Sequence, residues 1–199
     1  VNMANANRPT GLSPVRSITG APFNDQVQLY SIAPAYATAL YIGDPVISSG
    51  TSDSRGIAGI TLAAATGAIR GVIVGLGTNV GLIANPQNWD ITYRPAAAQS
   101  QTRYALVCDD PNMSFEVQEV GTGTPFTAAE VGLNANLSLG AGNGYVSGWQ
   151  VDNSGEGTTD TLQVRLLGLA QRQDNAFGQY AKWLVKINNH DFYLGNAGL

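Results

Sequence analysis

Hydrophobic positions along this chain recur at every second residue in short runs, and turn residues close each run. Leu133, Ala135, Leu137 and Leu139 alternate with Asn134, Asn136 and Ser138, the clearest period of two in the sequence. Phe115 and Val117 alternate with Glu116 and Gln118, Leu162, Val164 and Leu166 with Gln163 and Arg165, and Trp183, Val185 and Ile187 repeat the pattern near the end. Side chains two apart on a strand share a face, so each run predicts a strand with one buried and one wet side. Further strand-like runs at 27–33, 38–42, 46–48, 57–64, 68–76 and 103–108 bring the expectation to about ten strands.

The punctuation between runs has a mechanism. Asp109-Asp110-Pro111-Asn112 is a turn in which Pro fixes φ and the Asp and Asn side chains bond nearby amides, and residues 50–56, Gly-Thr-Ser-Asp-Ser-Arg-Gly, read as a hairpin loop. Residues 77–101 read as irregular, and 170–181 as a short helix or a loop. With no long helix and no fixed-period repeat, the expectation is an all-β protein: an antiparallel β-barrel or sandwich, with a jelly roll among the options.

The first 24 residues follow no strand or helix period. Pro9, Gly11, Pro14, Gly20 and Pro22 separate Leu12, Val15 and Ile18. This predicts an extended N-terminal arm over 1–24 that folds onto a partner, ahead of a single β-rich domain over 25–199. The same residues show no secretory signal, since Asn, Arg and Pro stand where an apolar segment would be needed.

Composition sharpens this picture. The 199 residues include 24 glycines, only 12% are charged, and Lys182 and Lys186 are the only lysines, a balance that disfavours exposed helices. A single cysteine, Cys108, excludes an intramolecular disulfide and is expected to be a small buried hydrophobe. Residues 57–77 carry Arg70 as their only charge, yet their glycines and threonines break a would-be membrane span into two core strands and a turn.

The formal charge of −4 argues against nucleic acid as a partner. Its distribution is uneven: Arg8 and Arg16 are the only charges in 1–24, and no Lys or Arg occurs from Tyr104 to Val164, where eight acids lie. Such a division is suited to docking two copies or a larger charged surface, or simply marks a solvated acidic face.

Familiar chemistry is scarce. Gly75-Leu-Gly77-Thr-Asn-Val-Gly81 places its third glycine one residue late for dinucleotide binding, and Pro86 interrupts the helix that motif requires. His190 is the only histidine; no nucleophile elbow precedes it, Asp191 would point to the opposite face of a strand, and a surface or interface position is expected. One His and one Cys cannot build a zinc site. Asp109, Asp110 and Asn112 lack calcium-loop spacing, so a turn explains them more simply than a bound cation. The expectation is therefore no catalytic residue, no metal and no cofactor. Carboxylates alone could serve a hydrolase, and Trp89, Trp149 and Trp183 raise sugar stacking, so a carbohydrate- or receptor-binding module remains the alternative.

Several segments together resemble the capsid decoration, or cement, proteins of tailed bacteriophages. The resemblance is carried by Met3-Ala-Asn-Ala-Asn-Arg-Pro-Thr-Gly-Leu-Ser-Pro14, Leu40-Tyr-Ile-Gly-Asp-Pro-Val46, Gly71-Val-Ile-Val-Gly75, Tyr104-Ala-Leu-Val-Cys-Asp-Asp-Pro111 with Phe115-Glu-Val-Gln118, and Ala181-Lys-Trp-Leu-Val-Lys-Ile-Asn-Asn-His190. It implies a virion structural protein made in the host cytoplasm, commonly a homotrimer, that binds the major capsid protein on the outer surface of the expanded head. Arg8, Leu12, Arg16 and Ile18 are the expected capsid contacts of the arm, and no membrane is involved.

Overall fold

In the computed structural model, residues 5–77 and 93–193 are described. The period-two runs fold as strands, and the strands form two layers. Among the described residues these are β1 (Ser13–Ser17), β2 (Gln28–Ile32), β3 (Leu40–Tyr41), β4 (Pro45–Ser52), β5 (Ala58–Leu62), β6 (Gly71–Gly77), β7 (Tyr93–Arg94), β8 (Arg103–Cys108), β9 (Met113–Gln118), β10 (Asn134–Ala135), β11 (Leu137–Ser138), β12 (Gln150–Val151), β13 (Val164–Leu169) and β14 (Lys182–Ile187). Their only helical element is a 3-10 turn, Ala128–Glu130, closed by a capping box with Thr127. Residues 170–181 form a loop. The chain is all-β, as its alternation requires.

One layer is a closed barrel in the order β2-β5-β4-β6-β8. Five strands cannot alternate direction all the way round a ring, so one neighbouring pair must be parallel. That pair is β2 and β5, which meet through Ser31 and Gly59. The Ser31 hydroxyl reinforces this seam by donating to the Ile57 carbonyl at 2.9 Å, with the Ala58 carbonyl 3.2 Å away. Tyr30, Ile32, Val46, Ile60, Ile73, Leu76, Ala105 and Val107 fill the barrel core.

The second layer is a sheet in the order β1-β9-β14-β13-β10. Its core gathers Leu12, Phe115, Val117, Phe126, Trp149, Val164, Leu166, Trp183, Val185 and Ile187. Strands β6 and β8 form the wall between the two cores: Val72 and Cys108 belong to one, Ile73 and Val107 to the other. A strand buried on both faces reads as a continuous apolar run, which is why residues 57–77 look long enough for a membrane. They fold as β5, a connector and β6.

The alternation misplaces some polar residues. Gln118 and Gln163, expected to be wet, are buried, and Leu139, expected in the core, is 60% exposed. Gln163 sits under neighbouring loops, accepting from the Leu137 N–H at 3.0 Å and donating to the Ala64 carbonyl at 3.0 Å. The run from Leu133 to Leu139 is not one strand: Asn134–Ala135 joins the sheet and Leu137–Ser138 pairs with β12. Arg94 is likewise buried, donating to the carbonyls of Thr38 and Pro95 at 3.0 and 2.9 Å and lying over the Tyr36 ring.

Candidate interaction surface

Residues 5–23 do not trail away from the domain. Asn5 clasps the 170–181 loop, donating to the carbonyls of Ala176 and Gln179 and accepting from the Ala176 N–H. The Gln118 side chain accepts from the Arg8 N–H at 2.9 Å and donates to Asn7 Oδ1 at 3.2 Å. Residues 5–8 thus roof the outer face of β9, and that cover is what buries Gln118.

β1 then adds itself to the edge of the sheet. Ser13 pairs with Glu116 and Pro14 with Phe115, and a bulge at Val15 shifts the register by one, so that Arg16 pairs with Ser114 and Ser17 with Met113. Proline has no N–H to donate, so an edge strand is where Pro14 is tolerated. The bulge turns Val15 outward, 39% exposed, while its carbonyl accepts from the Phe23 N–H at 3.3 Å. Ile18 follows at 50% exposure and Arg16 is exposed beside it.

Beside this strand runs a groove of about 840 Å³. Leu12, Pro14 and Phe23 line it from the N-terminal segment, Ile73, Val74 and Leu106 from β6 and β8 of the barrel, and Ile42 and Val146 complete the apolar lining. The wall is held by short backbone contacts: the Leu12 N–H donates to the Gly43 carbonyl at 2.9 Å, and the Gly43 N–H to the Ile73 carbonyl at 2.8 Å. At the rim Asp25 adopts φ of 53°, a left-handed conformation that costs a non-glycine residue about 1 kcal/mol or more. The groove is open and mostly apolar.

Comparison with protein-family models, curated proteins and solved structures returns no match. The surface must therefore be read from its own chemistry.

Of the four expected contact residues, Arg8 and Arg16 are exposed and Ile18 is half exposed, whereas Leu12 is 1% exposed and belongs to the chain's own core. The structure places Arg16 on β1, Leu12 just before it and Ile18 just after it, and Arg8 over β9. Sequence reasoning did not single out Gly43 and Val146 as groove residues. Of these, Gly43 carries a signal in the sequence, because Gly43-Asp44-Pro45 is a run of turn residues.

Cys108, His190, Trp149 and Trp183 are all buried. Cys108 is fully buried, and burial pushes its thiol up to about 12, so it packs as a hydrophobe. His190 is fully buried rather than at the surface, because residues 189–191 dock on the barrel connector through a parallel bridge to Ile69. Trp149 and Trp183 are core residues, removed from any role as sugar platforms, and Trp89 lies outside the described residues, as do Val1, Met3, Gly81 and Pro86.

Asp110 accepts from the Asn112 N–H at 2.8 Å, the turn geometry expected, whereas Asp109 reaches across to β2 and accepts from the Tyr30 hydroxyl at 2.7 Å. No group of three or more possible metal ligands occurs among the described residues.

The acidic middle of the chain does not fold into one acidic face. Glu116 pairs with Arg172 at 2.6 Å and with Lys182 at 3.5 Å. Glu119 is fully buried, accepting from the Phe126 N–H, Asn153 Nδ2 and Trp183 Nε1 at 2.8, 2.8 and 2.9 Å. Burial raises its carboxyl above the ordinary range despite those donors.

Proposed function

We propose that this chain is a virion structural protein that decorates the outer surface of a tailed-phage head, binding the major capsid protein lattice and stabilising its expanded form. The observation that carries the reading is the N-terminal strand, which presents Val15, Arg16 and Ile18 outward next to the apolar groove. Apolar anchors beside a cation and an open cleft are what a protein-binding surface needs, with burial supplying attraction and the charge fixing orientation. The resemblance of several chain segments to decoration proteins supports the same reading and adds a homotrimer. In a trimer, three modest copies of this surface would engage one lattice site together, and linkage converts them into tight attachment.

The test is co-sedimentation of the protein with expanded, undecorated heads built from the major capsid protein of the encoding phage. Wild type is expected to saturate the heads. A Val15→Glu/Ile18→Glu double variant, altered only at exposed positions, is expected to stay folded and lose occupancy by at least tenfold. Full occupancy by the double variant would overturn the assignment of this surface, and failure of wild type to bind would overturn the decoration role itself.

A further inference from the structure

The segment that follows β14 fastens the sheet to the barrel. The Ile69 N–H donates to the Asn189 carbonyl at 2.9 Å and the Asp191 N–H to the Ile69 carbonyl at 3.0 Å. Arg70 forks onto Asp191 through Nε at 2.7 Å and a terminal nitrogen at 2.6 Å, and its guanidinium lies 4.0 Å from the centre of the Phe192 ring. At the middle of this attachment sits His190, fully buried, with Phe192 stacked on its ring at 5.5 Å and Tyr193 at 5.7 Å.

The chemistry of the His190 ring depends on one proton. The Phe192 N–H donates to Nδ1 at 3.0 Å, so that nitrogen must present a lone pair. We propose that His190 is an acid-operated latch: with Nδ1 unprotonated it accepts the Phe192 N–H and holds residues 188–193 against the barrel, and a proton from solvent on Nδ1 releases them. Protonation consumes the lone pair, sets two donors against each other and leaves a buried cation.

The charged groups around the ring act in both directions. The Arg70 guanidinium opposes a second cation, whereas the charges of Asp191 on the same segment and Asp110 on the β8–β9 turn favour it, as does a hydrogen bond to the Asp109 backbone. Asp109 is already engaged by the Tyr30 hydroxyl at 2.7 Å, and Lys186 lies over the Tyr193 ring. Burial is the largest influence and, with Arg70, draws the imidazole from 6.5 down to about 4. The latch is therefore closed at neutral pH. Its opening equilibrium grows as pH falls from 6.5 toward 4, because the open form binds the proton more tightly. The device stands on this geometry and is independent of the capsid reading.

Amide hydrogen exchange on the full chain, with rates corrected for intrinsic pH dependence, tests it. Protection of the Ile69, Asp191, Phe192 and Tyr193 amides is expected to fall about 50-fold between pH 7 and pH 4.5, while β8 amides keep theirs. A His190→Asn variant, whose side-chain oxygen can accept the Phe192 N–H at every pH, is expected to abolish the dependence. Unchanged protection in wild type, or the same pH dependence in the variant, would overturn the latch. Should the variant fail to fold, NMR titration of the wild-type imidazole decides: its midpoint must lie near 4, where the fall in Phe192 protection levels off, and a midpoint at 6.5 overturns the proposal.

Discussion

Gly11 and Gly43 meet backbone to backbone at the wall of the groove: a Cβ on Gly11 would lie 2.3 Å from the Gly43 carbonyl oxygen, and one on Gly43 would lie 2.3 Å from that of Thr10. Both residues have positive φ, 67° and 93°. Contact and conformation each demand glycine. The closeness lets Leu12 reach the core while its N–H bonds to Gly43, so one glycine pair both seats the N-terminal strand and shapes the cleft beside it.

Gly43→Ala is accordingly expected to destabilise the fold by about 2–4 kcal/mol, combining left-handed strain with a backbone clash. Gly50→Ala is the control, since Gly50 has φ of 71° but nothing within 4 Å of an added Cβ. It should cost only about 1 kcal/mol. Urea denaturation of the two variants measures the difference, and equal costs would show that packing at Gly43 relaxes.

Removal of residues 1–23 tests whether the N-terminal segment belongs to the fold. Deletion strips β1 from β9 and removes Leu12, whose burial alone contributes about 2 kcal/mol. It also uncovers Gln118. The truncated chain is expected to lose several degrees or more of thermal stability and to aggregate through the bare β9 edge. A melting temperature equal to that of the full chain would return these residues to the status of a detachable arm.

Glu119→Gln probes a buried carboxylate that three donors surround. An amide supplies only one oxygen, so its NH₂ must face either Trp183 Nε1 or the Phe126 and Asn153 donors. The expected cost is about 2–4 kcal/mol by chemical denaturation, more than an isosteric change at a solvated site would bring.

Asp44 gives a pH dependence of definite sign. Its carboxylate accepts from the Tyr41 N–H at 2.8 Å, and burial raises it from 3.8 to about 6 in the folded chain. A raised carboxyl favours folding below 3.8 and loses that contribution as pH rises through 6. The stability of wild type relative to Asp44→Asn should therefore fall by up to about 3 kcal/mol between pH 4 and pH 7.5. Parallel urea titrations at the two pH values read this directly, and a constant difference would refute it.

Arg70→Lys retains the charge but loses the two-nitrogen grip on Asp191 and the flat contact with Phe192. An expected loss of about 1–2 kcal/mol in denaturation would separate guanidinium geometry from charge alone.

The period of two was enough to specify the class of the fold, because strands bury alternate residues whatever their neighbours. It located β8 to the residue and most of β2, β5, β6, β9, β13 and β14 closely. The Asp109–Asn112 turn was also legible, since Pro and Asx side chains act on backbone within a few residues. What lay beyond was decided by contacts distant in sequence. Gln118 is buried because Asn7 and Arg8 return across it, Gln163 because Ala64 and Leu137 do, and Glu119 because Phe126, Asn153 and Trp183 converge there. The first residues showed no period because their partners are β9 and a loop near the other end of the chain. His190 followed the same rule: its neighbours in sequence suggested a closing strand at the surface, but docking against Ile69 and Arg70 buried it. Local pattern determines which residues form strands; which surfaces remain open, and which ionisable groups lose their water, is settled only when the two layers close on each other.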